Sequence, residues 1–410
     1  MNHKSCIEKI YWMINLVLLF LFGMQFMGFP KIVIILWLGL VILIEFVRCR
    51  KGVIDIPAIL LGLGGISYFF ISGNGIITSV IFGGLPVVLY LAGKVWCMRT
   101  PSFCSADMNG KIVILTLTLG TFAGGLLEKY SRFFRFTEEC YSGRYWFDFW
   151  DGGLRPATYY MFYAMMVLGT AFWAFYIRKN QKLLGNCFLL FAAVELLFFA
   201  WVETRTPFLV FGLVMVIELA LFLWLNRKEK YVKPILIVGG VLGGAGIIIA
   251  LAVWYGNVFN IQNSSFGLLL SQDGGILGNI RFKAQKNAVM QLFVYPMGGK
   301  QMDLAGLPFV HNVWLDIANT SGIIPFFLIV SYTIITIVEC VKLVINKEVP
   351  QEMKYLMTGI FIALHLDYSV EPVLDANMIF WAMGACISGM IKGYRVSSKE
   401  VTYEKECTDR

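Results

Sequence analysis

Twelve runs of mostly apolar residues, each close to the length a helix needs to cross a bilayer, recur along this 410-residue chain. A helix rises about 1.5 Å per residue and the hydrocarbon is about 30 Å thick, so about 20 such residues span it. The runs fall at approximately 10–28, 32–47, 53–72, 75–93, 112–127, 157–177, 183–202, 207–225, 234–255, 322–341, 355–370 and 374–391. With 58% hydrophobic and 15% charged residues and a mean hydropathy of +0.71, the chain is far too apolar for a soluble domain. The expected fold is an all-α polytopic integral membrane protein of about 12 transmembrane helices, one transmembrane domain over 1–410. The first run is too long for a signal-peptide core and no small-residue cleavage site follows it, so it reads as a retained anchor.

Lys and Arg set the orientation, because cytoplasmic segments collect them. With the N-terminus inside, 23 of the 34 basic residues fall in inner segments and the tail, which puts both termini in the cytoplasm. The short outer turns hold only Lys31 and Arg205. The formal charge of +8 is spread over short clusters between apolar runs, a pattern of membrane anchors that argues against nucleic acid as a partner. Of the nine cysteines only Cys140 falls clearly outside, so no external disulfide framework is expected, and Cys97 and Cys104 lack metal-site spacing.

Two outer loops are long, 128–156 and 256–311, and both are expected to contain short amphipathic helices. The first mixes five basic with five acidic residues and many aromatics, a composition suited either to stacking on sugar rings or to anchoring in lipid headgroups. Asp148 and Asp151 are spaced as a carboxylate pair but sit in an aromatic setting that disfavours a metal site. In the second loop, Arg281, Gln285 and Ala288 should share one side of a helix, with Phe282, Val289 and Leu292 near the other. A turn at Pro296–Gly299 should reverse the chain. His311 then opens the segment HNVWLDIANTSG, with Asn312 as a helix cap.

Charges at the rim of a span cost about 2.5–3.5 kcal/mol, so each needs a partner or a task. Arg205 either pairs with Glu203 or holds a phosphate through its planar fork of donors. His311 reads as a hydrogen-bonding residue or as a catalyst. Glu195, Glu218 and Glu339 read as partners of neighbouring helices. His365, Asp367, Glu371 and Asp375 form a second outer cluster able to pair internally.

Three pieces of this chain resemble the O-antigen ligase and polymerase family: an arginine turn before an apolar span (TRTPFLVFGLVMVIELALFL), an arginine-led helix ending in a Pro and Gly turn (IRFKAQKNAVMQLFVYPMGG), and the His-Asn segment that runs into Gly-Ile-Ile (HNVWLDIANTSGII). Together they cover roughly 202–331. Trp314 stands where a tyrosine is usual, Pro325 where a glycine is usual, and Thr320-Ser321 where an acidic residue is commoner. The resemblance implies a metal-independent glycosyltransferase without a cofactor, in the bacterial cytoplasmic membrane with its active site on the outer face. Its donor and acceptor would be undecaprenyl-pyrophosphate-linked oligosaccharides, with membrane lipid, a chain-length regulator and a flippase as further partners. It implies that Arg205 and Arg281 bind the diphosphate and that His311 is the base or orienter of the acceptor hydroxyl; Asn312 and Arg155 are further candidate substrate-binding residues.

The favoured activity is polymerisation of O-antigen, capsule or exopolysaccharide repeat units, ahead of ligation to another acceptor. A carrier would need a longer link than 178–182 at the chain's centre, and a flippase would line a cavity within the bilayer with its charges. A non-catalytic envelope scaffold would tolerate substitution of the outer arginines.

Overall fold

The computed structural model describes residues 3–28, 31–49, 53–98, 100–135, 145–202, 204–229, 280–371, 374 and 378–408. Eleven of the twelve apolar runs coincide with helices: α1 (His3–Gly23), α2 (Lys31–Cys49), α3 (Ile56–Ile71), α4 (Ile76–Met98), α5 (Ala106–Phe134), α6 (Met161–Leu168) continuing as α7 (Ala171–Ile177), α8 (Lys182–Trp201), α9 (Thr206–Leu225), and three helices toward the C-terminus. Between α9 and those three stand two short helices, α10 (Ile280–Gln291) and α11 (Val313–Ser321). The three are α12 (Ile323–Ile345), α13 (Gln351–Tyr368) and α14 (Met378–Thr408). The run at 234–255, the first part of the second long loop, Glu203, Asp375 and Cys140 lie outside the described residues.

Among the described residues, seven helical stretches are long and apolar enough to cross a membrane, and α3 and Val33–Ile44 are shorter apolar helices. Their outward faces carry Leu36, Leu183, Leu197 and Val216, all more than half exposed. A surface of that kind suits lipid tails and not water. The protein is thus predominantly helical, with the helices of a membrane protein.

Close approach of backbones organises the centre. Helices α4 and α14 pack most extensively, and a Cβ added at Gly93, Gly389 or Gly393 would collide with the carbonyl of Cys386, Tyr90 or Lys94 respectively. Small residues at such an interface let helices gain dispersion contacts in lipid, where no hydrophobic force drives them together. Ion pairs tie one end of the bundle: Lys94 Nζ lies 2.7 Å from Asp55, Lys111 lies 2.7 Å from Glu352, and Glu339 receives Lys392 at 2.8 Å and Arg395 at 2.7 Å. Glu218 accepts from Thr358 on α13. Glu195 and Glu339 thus have basic partners and Glu218 a hydroxyl donor, all on neighbouring helices.

The first long loop departs from expectation at both ends. Helix α5 does not stop at 127 but runs on to Phe134, because the polar residues that mark the apparent boundary are satisfied inside the protein. Lys129 donates to both oxygens of Glu195 on α8, at 2.7 and 2.8 Å, and its cation sits 5.0 Å from the Phe198 ring. Glu128 accepts the Phe149 amide at 3.1 Å, and Ser131 donates to the Phe147 carbonyl at 2.6 Å. The described part of the loop beyond α5 is a β-hairpin and not a helix: β1 (Tyr145–Phe147) pairs antiparallel with β2 (Leu154–Pro156). Aromatic residues followed by Asp-Gly-Gly favour paired strands around a tight turn, and Gly152 takes the positive φ of +69° that this turn requires. Trp146 anchors the hairpin, fully buried and stacked on Tyr160 at 4.6 Å.

Replacing Glu195 with alanine leaves Lys129 as an uncompensated buried cation. Loss of one partner of a buried pair costs about 3–5 kcal/mol, so the variant should lose its monodisperse peak in detergent gel filtration. The double change Lys129→Met with Glu195→Leu should restore it. A wild-type profile for Glu195→Ala alone would mean that the pair does not hold α5 to α8.

Candidate functional site

The site is assembled from three stretches far apart in sequence: the first turn of α9, the α10–α11 segment and the end of α13. Helix α10 forms because residues 281, 284, 285, 288 and 292 recur on one face. Ala284, Ala288 and Leu292 are buried on that face with Met302, Leu304, Val310 and Ala318 in a small core of their own. Arg281 and Gln285 share the face as expected, and Phe282 and Val289 are exposed. Leu292 was expected on the opposite side but belongs with Ala288, since it follows Arg281 by three full turns.

After α10 the chain reverses at the Pro296–Gly299 turn, where Gly298 and Gly299 adopt φ of +72° and +78°. The turn docks on the α11–α12 junction: Gly299 N donates to Thr320 O at 3.0 Å, Lys300 N to Asn319 O at 2.7 Å and Ile323 N to Pro296 O at 2.9 Å. Gly322 makes this possible, at φ +85°, because a Cβ there would strike the Pro296 carbonyl. Ser321 Oγ ties the same junction to the Tyr68 carbonyl at the end of α3, at 2.9 Å.

Helix α11 starts as predicted. Asn312 caps it, its side chain accepting the Leu315 amide at 3.1 Å. The reciprocal bond comes from Asp316, a buried carboxylate that accepts Asn312 N at 3.2 Å and Val310 N at 2.7 Å. Asp316 therefore grips the amides on both sides of His311. Between them His311 adopts φ +58°, a left-handed conformation that costs a non-glycine residue energy and persists only where the surroundings enforce it. Gln285 adds a bond from its amide to the His311 carbonyl, at 3.1 Å.

Helix α13 ends at Tyr368, and its last carbonyls hold the α10–α11 segment in place. The Ser369 carbonyl accepts from Gln285 and Asn312, each at 3.4 Å, and the Val370 carbonyl from Arg281 at 3.2 Å. Next stands Glu371, which is 4% exposed. Its Oε1 lies 3.3 Å from Arg281 Nη1 and accepts from Thr206 Oγ1 at 3.5 Å, while its Oε2 lies 3.8 Å from His311 Nδ1. Among the described residues, Glu371 Oε2 and His311 Nδ1 are buried with no hydrogen-bond partner. They face each other across a gap slightly too wide for a hydrogen bond.

The structure thus brings together Arg281, His311 and Asn312 of the expected site. Arg205 flanks it as the exposed residue before Thr206, with its carbonyl starting α9 through Phe208 N at 3.1 Å. Arg155 is not part of this group. It sits on β2, paired with Asp151 at 3.2 Å and lying 5.0 Å from the Tyr159 ring, and lines a different cavity. Among the described residues of the second outer cluster no internal pair forms: His365 bonds the Phe361 carbonyl of its own helix at 2.8 Å, and Glu371 belongs to the site just described. Trp314 donates to Thr333 on α12 at 2.9 Å, a packing role. Asp316 is the residue the sequence does not single out, whereas Glu371 stands there in the second outer cluster and Gln285 on the Arg281 face, neither joined to His311. For Asp316 the signal was an acid four residues after a predicted cap, a variation on the capping box. For Glu371 no local signal exists, since Arg281 is 90 positions away.

No protein-family model and no curated protein matches the chain.

Asp316→Ala removes the acceptor of both amides flanking His311. Hydrogen bonds to a charged group contribute about 1.5–3 kcal/mol each, so the variant should insert normally while protease cuts 300–312 at least about ten-fold faster, as followed by mass spectrometry. An unchanged cleavage rate would show that Asp316 does not fix the histidine segment.

Proposed function

We propose that this protein is a membrane glycosyltransferase that polymerises undecaprenyl-pyrophosphate-linked oligosaccharide repeat units, with twelve spans, both termini cytoplasmic and its site on the outer face of a bacterial cytoplasmic membrane. The observation that supports it is the meeting of Arg281, His311 and the first turn of α9 around one buried carboxylate, Glu371. Those are the stretches that carry the family resemblance, and they meet at one end of the helix bundle.

The chemistry asked of such a site is modest. A polyprenyl diphosphate is already a good leaving group, so the protein must stabilise charge developing on it and align a hydroxyl. In this reading an acceptor hydroxyl attacks the anomeric carbon of the donor. The bond from that carbon to the diphosphate oxygen breaks, and the diphosphate leaves with the electron pair. Arg205 and Arg281 hold the diphosphate through planar donor forks. His311 takes the hydroxyl proton on Nε2, because Nδ1 faces Glu371 and the carboxylate stabilises the imidazolium that forms. A base so placed contributes about 10²- to 10⁴-fold. Asn312 contributes by fixing the start of α11, and no step needs a metal or cofactor.

Deletion of the gene in its host tests the reading, with the surface glycan and the lipid-linked pool run on a gel and complemented by wild type and variants. Single repeat units should replace a ladder of chains. His311→Ala, Arg281→Ala and Arg205→Ala should reach the membrane and leave the ladder unrestored. Full-length chains held on the lipid carrier would indicate a ligase, and lipid-linked units trapped inside the cell a flippase. Normal ladders from all three variants would refute the site.

A further inference from the structure

A second cavity opens at the same end of the bundle. Its volume is about 310 Å³, within the range of small-molecule sites (about 300–1,000 Å³). The hairpin supplies Asp148, Trp150, Asp151 and Arg155, the turn after α1 supplies Gln25 and the short 3-10 stretch before α6 supplies Tyr159, with Phe162, Tyr163 and Met378 as the apolar floor. The cavity combines aromatic walls with hydrogen-bonding groups whose capacity the protein itself does not use.

Asp148 Oδ1 accepts the amides of Trp150 and Asp151, at 2.9 and 3.1 Å, and Oδ2 accepts no hydrogen bond among the described residues. Gln25 Nε2 donates to the Phe22 carbonyl at 2.8 Å, which leaves its Oε1 as an acceptor. Among the described residues, Trp150 Nε1 and Arg155 Nε are buried donors without a hydrogen-bond partner. A buried donor left unmade costs about 1–3 kcal/mol, so a site holding two of them is built to receive something. Burial pushes the Asp148 carboxyl above its ordinary range, in keeping with a place from which bulk water is partly excluded.

We propose that this cavity is a saccharide subsite, which binds a neutral sugar ring of the glycan being extended. A pyranose offers vicinal hydroxyls as donors to Asp148 and Gln25, ring and hydroxyl oxygens as acceptors for Trp150 Nε1 and Arg155 Nε, and an apolar face for the aromatic walls. The cavity takes no part in bond making. It holds the acceptor chain several sugars from the reacting end, on the same side of the protein as Glu371. Tyr368, three residues before Glu371, donates to the Phe380 carbonyl at 3.1 Å, and the Phe380 ring packs edge-on against Phe162 in the cavity floor. The subsite rests on the polymerase reading for its biological glycan, but its binding chemistry can be measured without any transfer.

The test is binding of the repeat-unit oligosaccharide, released from the host's lipid-linked pool by mild acid, to the purified full-length protein in detergent, followed by tryptophan fluorescence and calorimetry. Wild type should bind, and sucrose at the same concentration should not. Asp148→Asn keeps an acceptor for the two turn amides, and Trp150→Phe keeps the aromatic wall, so both should melt like wild type. Each should weaken binding about ten-fold, equivalent to about 1.4 kcal/mol. Unchanged binding in both hairpin variants, or none by wild type, overturns the subsite. Full-length chains held on the lipid carrier, or lipid-linked units trapped inside the cell, on deletion of the gene would instead overturn the polymerase reading and leave the binding result standing.

Discussion

A buried carboxylate at the end of a helix must be compensated, and the way Glu371 is compensated determines where the rest of the site goes. Taking one ion out of water costs several kcal/mol unless a counter-charge with good geometry meets it. Arg281 supplies that charge from α10, 90 residues earlier in the chain, and Thr206 supplies a hydroxyl from α9. His311 completes the ring of groups, with its backbone locked by Asp316 and Gln285 and its Nδ1 turned toward the acid. Loss of Glu371 would therefore release more than one contact, because near the end of α13 the α10–α11 segment would keep only its bonds to the Ser369 and Val370 carbonyls.

The arrangement divides labour between a rigid platform and a clasped strap. Helices α4 and α14 form the platform, packed so closely at Gly93, Gly389 and Gly393 that a side chain there would strike the facing backbone. The strap from α10 to α11 has a small apolar core of its own, sends Val313 and Ile317 into the main core, and is tied by Ser321 to the Tyr68 carbonyl of α3. Arg281 is 39% exposed while its partner is 5% exposed, so one guanidinium reaches both the buried acid and the surface. An arginine with five donors can serve both, which a lysine with one ammonium cannot match.

Much of this fold was readable from hydropathy, because helices in lipid must satisfy their own backbone and so announce themselves by length. Asn312 was readable as a cap, and Arg281 with Gln285 as one helical face, since both are local rules. What stayed hidden was long-range. The partner of Glu371 lies across four helices, and the end of α5 was drawn at 127 because Lys129 looks like a cytoplasmic or headgroup residue until Glu195 is seen against it. The hairpin was missed for another reason: a long outer loop between spans was assigned helix by default, although its aromatics and Asp-Gly-Gly favour strands. Arg155 carries the same charge as Arg281 but has different neighbours, which place it at the hairpin cavity.

The most direct test of the central claim is reconstitution of the purified protein into liposomes with a lipid-linked repeat unit, the lipid products being read by mass spectrometry. The account predicts a lipid carrying two or more repeat units, with free undecaprenyl pyrophosphate released in step. Substrate that remains a single unit while its glycan crosses the bilayer would contradict it.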